Sequence, residues 1–207
     1  MGDSLFAILM ASGYSRRFGS ENKLLVPFRG KPLARYTLDL VLNMEVWREI
    51  FFVYADDRVA ALAYEAAAVA DGLHLEVIRN TAPEKGRRES VRLGVEAADL
   101  RLSSTGDVYY AFFPCDQPFL DTATVHRILD ARRPGFIAEG CFHGEPGNPC
   151  VFSSFFRNEL LTLGKSETPK HIKTRYPDRI LSVELPSGLP LTDIDSREDL
   201  KKYCRRV

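Results

Sequence analysis

Apolar runs of strand length alternate along the chain with stretches whose apolar residues recur at helical spacing. Leu5 to Ala11 is short, continuous and stopped by Ser12-Gly13, which predicts a buried strand. Lys31 to Met44 predicts a helix with Pro32 in its first turn and Leu33, Tyr36, Leu40 and Val41 on one face. Glu49 to Ala55 and His74 to Ile78 predict a second and a third strand. An Ala-rich helix from Asp57 to Ala70 joins them. Arg88 to Ala98 predicts a helix with Val91, Val95 and Ala98 inward, and Val108 to Phe113 a fourth, wholly apolar strand. Thr122 to Arg132 is helical again. Beyond about Phe136 the pattern predicts a strand, two short helices (Ser153 to Leu161, Glu167 to Tyr176), a strand over Arg179 to Leu185 and a last helix from Ser196.

Wholly apolar strands separated by helices predict an α/β chain with a parallel sheet covered on both faces. Ligands gather beyond the carboxyl ends of such strands. Two loops are therefore of interest, the one after Ala11 and the one after Phe113. At 207 residues, a single domain spanning 1–207 is expected, since two full domains would be cramped. No repeat, linker or low-complexity tract interrupts it.

Charge narrows the function classes. Lys plus Arg number 28 and Asp plus Glu number 28, so there is no net basic footprint for nucleic acid. Cys115, Cys141, Cys150 and Cys204 form no C-x-x-C pair and the histidines are scattered, so no zinc spacing is present. No apolar run approaches the roughly 18 residues of a membrane span. The N-terminus lacks the positive flank of a secretory signal. A reducing, cytoplasmic location is the expectation.

The first loop runs from Ser12-Gly13 through Arg16-Arg17-Phe18-Gly19 to Lys23. Gly13 and Gly19 are expected to take positive φ and let the backbone approach a ligand. Successive N–H groups there make an anion nest, and Arg17 and Lys23 add a planar fork and a point charge suited to a triphosphate. An ordinary strand-to-helix turn with solvated basic residues is the plain alternative. Neither GxxxxGK[ST] nor GxGxxG is present.

The second loop is Pro114-Cys115-Asp116-Gln117-Pro118. A carboxylate at the tip of a central strand is costly without a partner. Mg²⁺ prefers one or two carboxylates plus phosphate oxygens, so Asp116 fits a metal held between protein and nucleotide. An N-cap or Asx-turn aspartate is the alternative. Cys115 reads as a small buried hydrophobe. Downstream, Asp193 and Asp195 flank Ile194. In a strand both would point to one face, and either could be a second metal ligand. Ser196 and Asp199 form a capping-box-like helix start.

Taken together these segments resemble the small nucleotidyltransferases of molybdenum cofactor biosynthesis, most closely the molybdenum cofactor cytidylyltransferases. The family pattern L-A-A-G-x-S-x-R-M-G with K-L-L is matched by Met10 to Gly19 and Lys23-Leu24-Leu25, and G-K-P-L by Gly30 to Leu33. G-D-Q-P is matched by Cys115 to Pro118, G-[HN]-P by Gly147-Asn148-Pro149 ahead of an apolar run, and D-I-D-T-P-E-D-L by Asp193 to Leu200. The likeness covers nearly the whole chain.

The resemblance implies a three-layer α/β/α domain with a mostly parallel, Rossmann-like sheet of the nucleotide-diphospho-sugar transferase type. It implies an NTP-binding half over residues 1–120 and an acceptor-binding half over 121–207. The reaction implied is Mg²⁺-dependent transfer of CMP from CTP to molybdopterin-bound molybdenum, releasing pyrophosphate. Arg17, Lys23 and Asp116 would be catalytic. Ala11, Ser12, Gly13, Tyr14, Ser15 and Gly19 would hold the nucleotide, with Asn80, Gly86, Ser90 and Arg92 at the base and ribose. Asp116 with Asp193 or Asp195 would bind the metal. Gln117, Gly147, Asn148 and Pro149 would face the acceptor. A molybdoenzyme or its chaperone is an implied partner.

The sequence departs from the pattern at Ser12, Thr81 and Cys115, and the family's G-D-x-G-A is here Gly164 to Thr168. GTP as donor, a sugar phosphate or methylerythritol phosphate as acceptor, a glycosyltransferase of the same architecture and a non-catalytic cofactor-binding accessory protein are the rival readings.

Overall fold

The computed structural model describes residues 2–13, 18–19, 21–69, 74–102 and 106–204. Seven strands form one sheet: β1 (Ser4–Ala11), β4 (Glu49–Tyr54), β5 (Leu75–Arg79), β6 (Val108–Pro114), β7 (Ile137–Phe142), β8 (Glu145–Ser153) and β9 (Ile180–Glu184). Their spatial order is β5-β4-β1-β6-β8-β7-β9. Every neighbouring pair is parallel except the two made by β8, which runs against β6 on one side and β7 on the other. A small separate ribbon pairs β2 (Pro27–Phe28) with β3 (Lys31–Pro32). The helices are α1 (Leu33–Leu42), α2 (Asp57–Ala67), α3 (Arg87–Asp99), α4 (Thr122–Asp130), α5 (Arg157–Leu161), α6 (Pro169–Arg175) and α7 (Arg197–Cys204).

Strand alternation divides the core in two. Leu5, Ala7 and Leu9 of β1 face α1, α2 and α4, packing with Leu38, Val59 and Ile128. Phe6 and Ile8 face the other side, where Val91 and Val95 of α3, Leu160 of α5 and Ile172 of α6 cover the sheet. Because β1 and β6 are buried on both faces, their sequences read as unbroken apolar runs. The expected three-layer, mostly parallel arrangement is the one observed.

Two local expectations need correction. Lys31 and Pro32 are not the first turn of a helix. They are the second strand of the small ribbon, closed by a turn at Arg29-Gly30 in which both residues have positive φ. Pro32 has ψ 141, an extended backbone, so α1 starts only at Leu33. The single strand expected beyond Phe136 is a hairpin of β7 and β8. Ser153 ends β8 instead of opening a helix, and a 3-10 turn over Ser154–Phe156 precedes α5. In the described residues, no helix is long and apolar enough to cross a membrane.

Candidate active site

The carboxyl ends of β1 and β6 lie side by side, with Leu9 level with Phe113 and Met10 with Pro114. The loops that leave them border a cavity of about 410 Å³, lined among others by Ser12, Gly13, Lys23, Ser90, Asp116 and Asp195. That volume falls in the range of small-molecule sites.

Lys23 is placed by a 3-10 turn, Lys23–Leu25, pinned by buried Leu24. Asn22 caps the turn by accepting from the Leu24 N–H at 3.1 Å, and its amide donates to Asp56 Oδ2 at 3.2 Å. From this base the Lys23 ammonium donates to Asp116 Oδ2 at 2.6 Å, Asp195 Oδ1 at 2.7 Å and the Ile194 carbonyl at 3.2 Å. Burial alone would lower the Lys23 pKa. The charge and hydrogen bond of Asp116, then those of Asp195, outweigh it and raise the value, so the ammonium stays protonated.

Asp116 stands two residues past the end of β6, and its carbonyl accepts the Ile194 N–H at 2.9 Å, fastening the later segment to the strand tip. Asp193 and Asp195 do not lie in a strand, because the segment from Thr192 to Asp195 has no regular structure. The two acids are placed differently. Asp195 pairs with Lys23, whereas Asp193 is pushed up to about pH 6, first by burial and then by the charges of Asp116 and Asp195. The capping box holds: Ser196 Oγ donates to Asp199 Oδ2 at 2.7 Å and accepts the Asp199 N–H at 3.1 Å.

The donor set fits a hard divalent cation. Asp116 Oδ1 and Asp193 Oδ1 are buried and have no hydrogen-bond partner among the described residues. Such orphaned carboxylate oxygens are costly unless a cation or solvent meets them. No group of three His, Cys, Asp or Glu among the described residues could hold an ion. Mg²⁺ usually keeps several waters and takes few carboxylates together with substrate phosphates, so the two acids would hold it only with a nucleotide in place.

On the other side of the cavity, Ser12, Ser90 and Asn80 form a buried polar cluster. The two hydroxyls are hydrogen-bonded, and Asn80 Nδ2 donates to Ser12 Oγ at 3.1 Å. Asn80 Oδ1 accepts the Ala82 N–H at 2.9 Å, shaping the loop that leads to α3. Gly86, with φ +75, turns that loop into the helix, where a side chain would be strained.

Not every expected site residue lines this cavity. Tyr14, Ser15 and Arg17 lie outside the described residues. Gly19 has φ +74, but Gly13 does not share that conformation. Arg92 does not reach the cavity. At helical spacing on α3 it pairs with Glu89 and Glu96, each at 2.6 Å. Ala11, Asn80 and Gly19 are not among the residues that line the cavity. Gln117 is buried, donates to the Leu191 carbonyl at 3.3 Å and lines no described cavity. Gly147 and Asn148 border a second cavity, with Pro149 buried beside them in β8. Cys115 is buried, and its thiol is raised well above the usual range by burial. Arg87, which lines the main cavity, was missed by sequence reasoning. The Arg87-Arg88 doublet directly after Gly86 was the available signal.

The family model "MobA-like NTP transferase domain" matches residues 7–180. The chain belongs to that family. It shares 29% identity over 130 residues with the molybdenum cofactor guanylyltransferase of Cupriavidus metallidurans, a match covering 62% of this chain and 55% of that protein. It thus spans about half the length of the curated relative it matches. A nucleotidyl transferase from Methanothermobacter thermautotrophicus superposes with TM-score 0.76 at 22% identity, covering 97% of this chain and 95% of the other. The Rv0371c protein of Mycobacterium tuberculosis H37Rv superposes with TM-score 0.70 at 26% identity, covering 99% of this chain and all of that one. Another structure of Rv0371c is a complex with manganese.

Proposed function

We propose that this MobA-like NTP transferase moves CMP from CTP to molybdenum-bound molybdopterin. The observation that carries the transferase reading is the meeting of Lys23 and Asp116 at the mouth of one cavity, at 2.6 Å. CTP as donor and the molybdopterin acceptor rest on the motif resemblance. The guanylyltransferase relative favours a second reading, GMP transfer from GTP to the same kind of acceptor.

An oxygen of the acceptor's phosphate attacks the α-phosphorus of the NTP. The bond to the bridging oxygen breaks, and pyrophosphate leaves with the electron pair. No protein nucleophile is required. Lys23 neutralises phosphate charge, and Arg17 is assigned the same task. Ser12, Gly13 and Ser90 present polar groups to the nucleotide, with Asn80 fixing the hydroxyls. Asp116 and Asp193 would hold Mg²⁺, with Asp195 bracing Lys23. The metal, when bound, supplies charge neutralisation at the phosphates. Catalysis is positioning and electrostatics.

The test is pyrophosphate release with each of the four NTPs, Mg²⁺ and molybdenum-bound molybdopterin, beside a thermal-shift panel of the same NTPs. A nucleotide at a hundredfold over its Kd stabilises by about 2.7 kcal/mol, which is readily seen. CTP is expected to act. Release with GTP alone moves the assignment to guanylyl transfer. Transfer from UDP-sugars without pyrophosphate, or nucleotide binding without turnover, overturns it.

A further inference from the structure

A second cavity, of about 380 Å³, adjoins the first, and Met10 and Arg87 line both. Its walls come from β7, β8 and α6. Deep in it, the Lys173 ammonium donates to Glu139 Oε2 at 2.5 Å, with side-chain exposures of 18% and 6%. Both charges are thus largely out of water, and such a pair is a poor stabiliser because desolvation offsets the attraction. An ammonium has three donors, and among the described residues Glu139 takes one of them. Lys170 and Arg87 are exposed at the rim and make no ion pair among the described residues. Three cations therefore face one carboxylate. A cleft with that surplus and low-dielectric walls concentrates its field on an anion. A purely structural void would be apolar and dry.

The geometry points to an anion seat. The second cavity binds an anionic group of the acceptor other than the phosphate that attacks the nucleotide, with Lys173 as its buried anchor. The acceptor class is thereby one with two separated anionic groups, one reacting in the first cavity and one held in the second. Glu139 is the counter-charge that keeps the ammonium in place while the seat is empty. Lys170 and Arg87 draw the anion in. The acceptor role rests on the nucleotidyltransferase reading, whereas the anion seat does not.

The probe is inorganic phosphate, titrated against the whole chain at constant ionic strength while the thermal midpoint is followed. Four variants are compared: Lys173→Met, Glu139→Gln, the double variant Glu139→Gln/Lys173→Met, and Lys23→Met. The expected phosphate response persists in Lys23→Met and strengthens in Glu139→Gln. In Lys173→Met it weakens by about tenfold or more, the scale of one lost charge-assisted hydrogen bond. Should Lys173→Met fail to fold around an uncompensated Glu139, the double variant, which carries neither charge, gives the same reading. A response unchanged in Lys173→Met or in the double variant, or lost only in Lys23→Met, overturns the seat. If no NTP with Mg²⁺ shifts the midpoint while the phosphate response still follows Lys173, the transferase reading falls and the seat stands. With turnover established, Lys173→Met is expected to raise the acceptor KM by a similar factor and leave the NTP KM unchanged.

Discussion

The Lys23 ammonium lies 2.6 Å from Asp116 Oδ2 across a sequence separation of 93 residues. One residue leaves the loop after β1 and the other the tip of β6, so strand pairing in the sheet centre sets the distance between them. Replacing Lys23 by Ala is expected to lower kcat by on the order of 10²-fold or more, as for loss of a donor to transition-state charge. Asp116→Ala is expected to abolish Mg²⁺-dependent turnover while circular dichroism stays native. Near-wild-type turnover in the first variant, or unchanged Mg²⁺ dependence in the second, would contradict these roles.

Asp193 yields a pH prediction. Its folded value of about 6 lies above the ordinary carboxylate range because burial, then the charges of Asp116 and Asp195, favour the neutral form. An acid raised on folding contributes stability that is present below its unfolded pKa near 4 and lost as pH rises through about 6. With chelator present, Asp193→Asn is therefore expected to be more stable than the parent at pH 7.5, by about 1–3 kcal/mol, and to lose that advantage near pH 4. Denaturant midpoints at the two pH values give the answer. Added Mg²⁺ is expected to shrink the gap at pH 7.5, since it neutralises the ionised carboxylate.

Asp56 works in the opposite sense. It caps α2 by accepting the Arg58 N–H at 3.0 Å, and its carboxyl is held at about 2, chiefly by hydrogen bonding from the Arg58 side chain against a smaller burial effect. This stability is present above the ordinary carboxylate pKa and disappears as pH falls through about 2. Asp56→Ala is expected to cost about 1 kcal/mol at neutral pH, the usual size of a lost N-cap. The cost should vanish in strong acid. Because Asn22 bonds to the same carboxyl, the variant should also raise the NTP KM through the Lys23 turn. An unchanged KM would show the turn to be independent of the cap.

Gly147 borders the second cavity, and its surroundings also give it a packing role. A Cβ there would stand 2.8 Å from Leu191 Cβ. Gly147→Ala is expected to destabilise the fold by about 1–3 kcal/mol through overpacking. A denaturation midpoint equal to that of the parent would show that Leu191 yields without cost.

How much of this was legible in the sequence depended on the range of the interaction. The strands β1, β4 and β6 were readable because burial on both faces leaves an unbroken apolar run. So were the two loops, because strand ends in a parallel sheet mark where ligands sit. The reversal of β8 was not readable, since periodicity carries no strand direction. The Arg29-Gly30 turn was passed over because Pro32 fits a first helical turn as well as an extended residue. Asp193 and Asp195 were indistinguishable as letters, and only the path of an irregular segment gives one a lysine and leaves the other buried. Lys173 and Glu139 sit on different elements 34 residues apart, so no local pattern joins them.

The bond from the Ile194 N–H to the Asp116 carbonyl also makes the cavity depend on a distant stretch of chain. Without residues 193 to 195, Lys23 would lose Asp195 and the Ile194 carbonyl, and Asp116 would lose the Ile194 N–H. A chain without that segment would keep Lys23 and Asp116 but lack Asp195 from the cavity wall and Asp193 from its buried place beside Asp116, so the acidic side of the cavity is finished by residues nearly eighty positions away from the strand tip they complete.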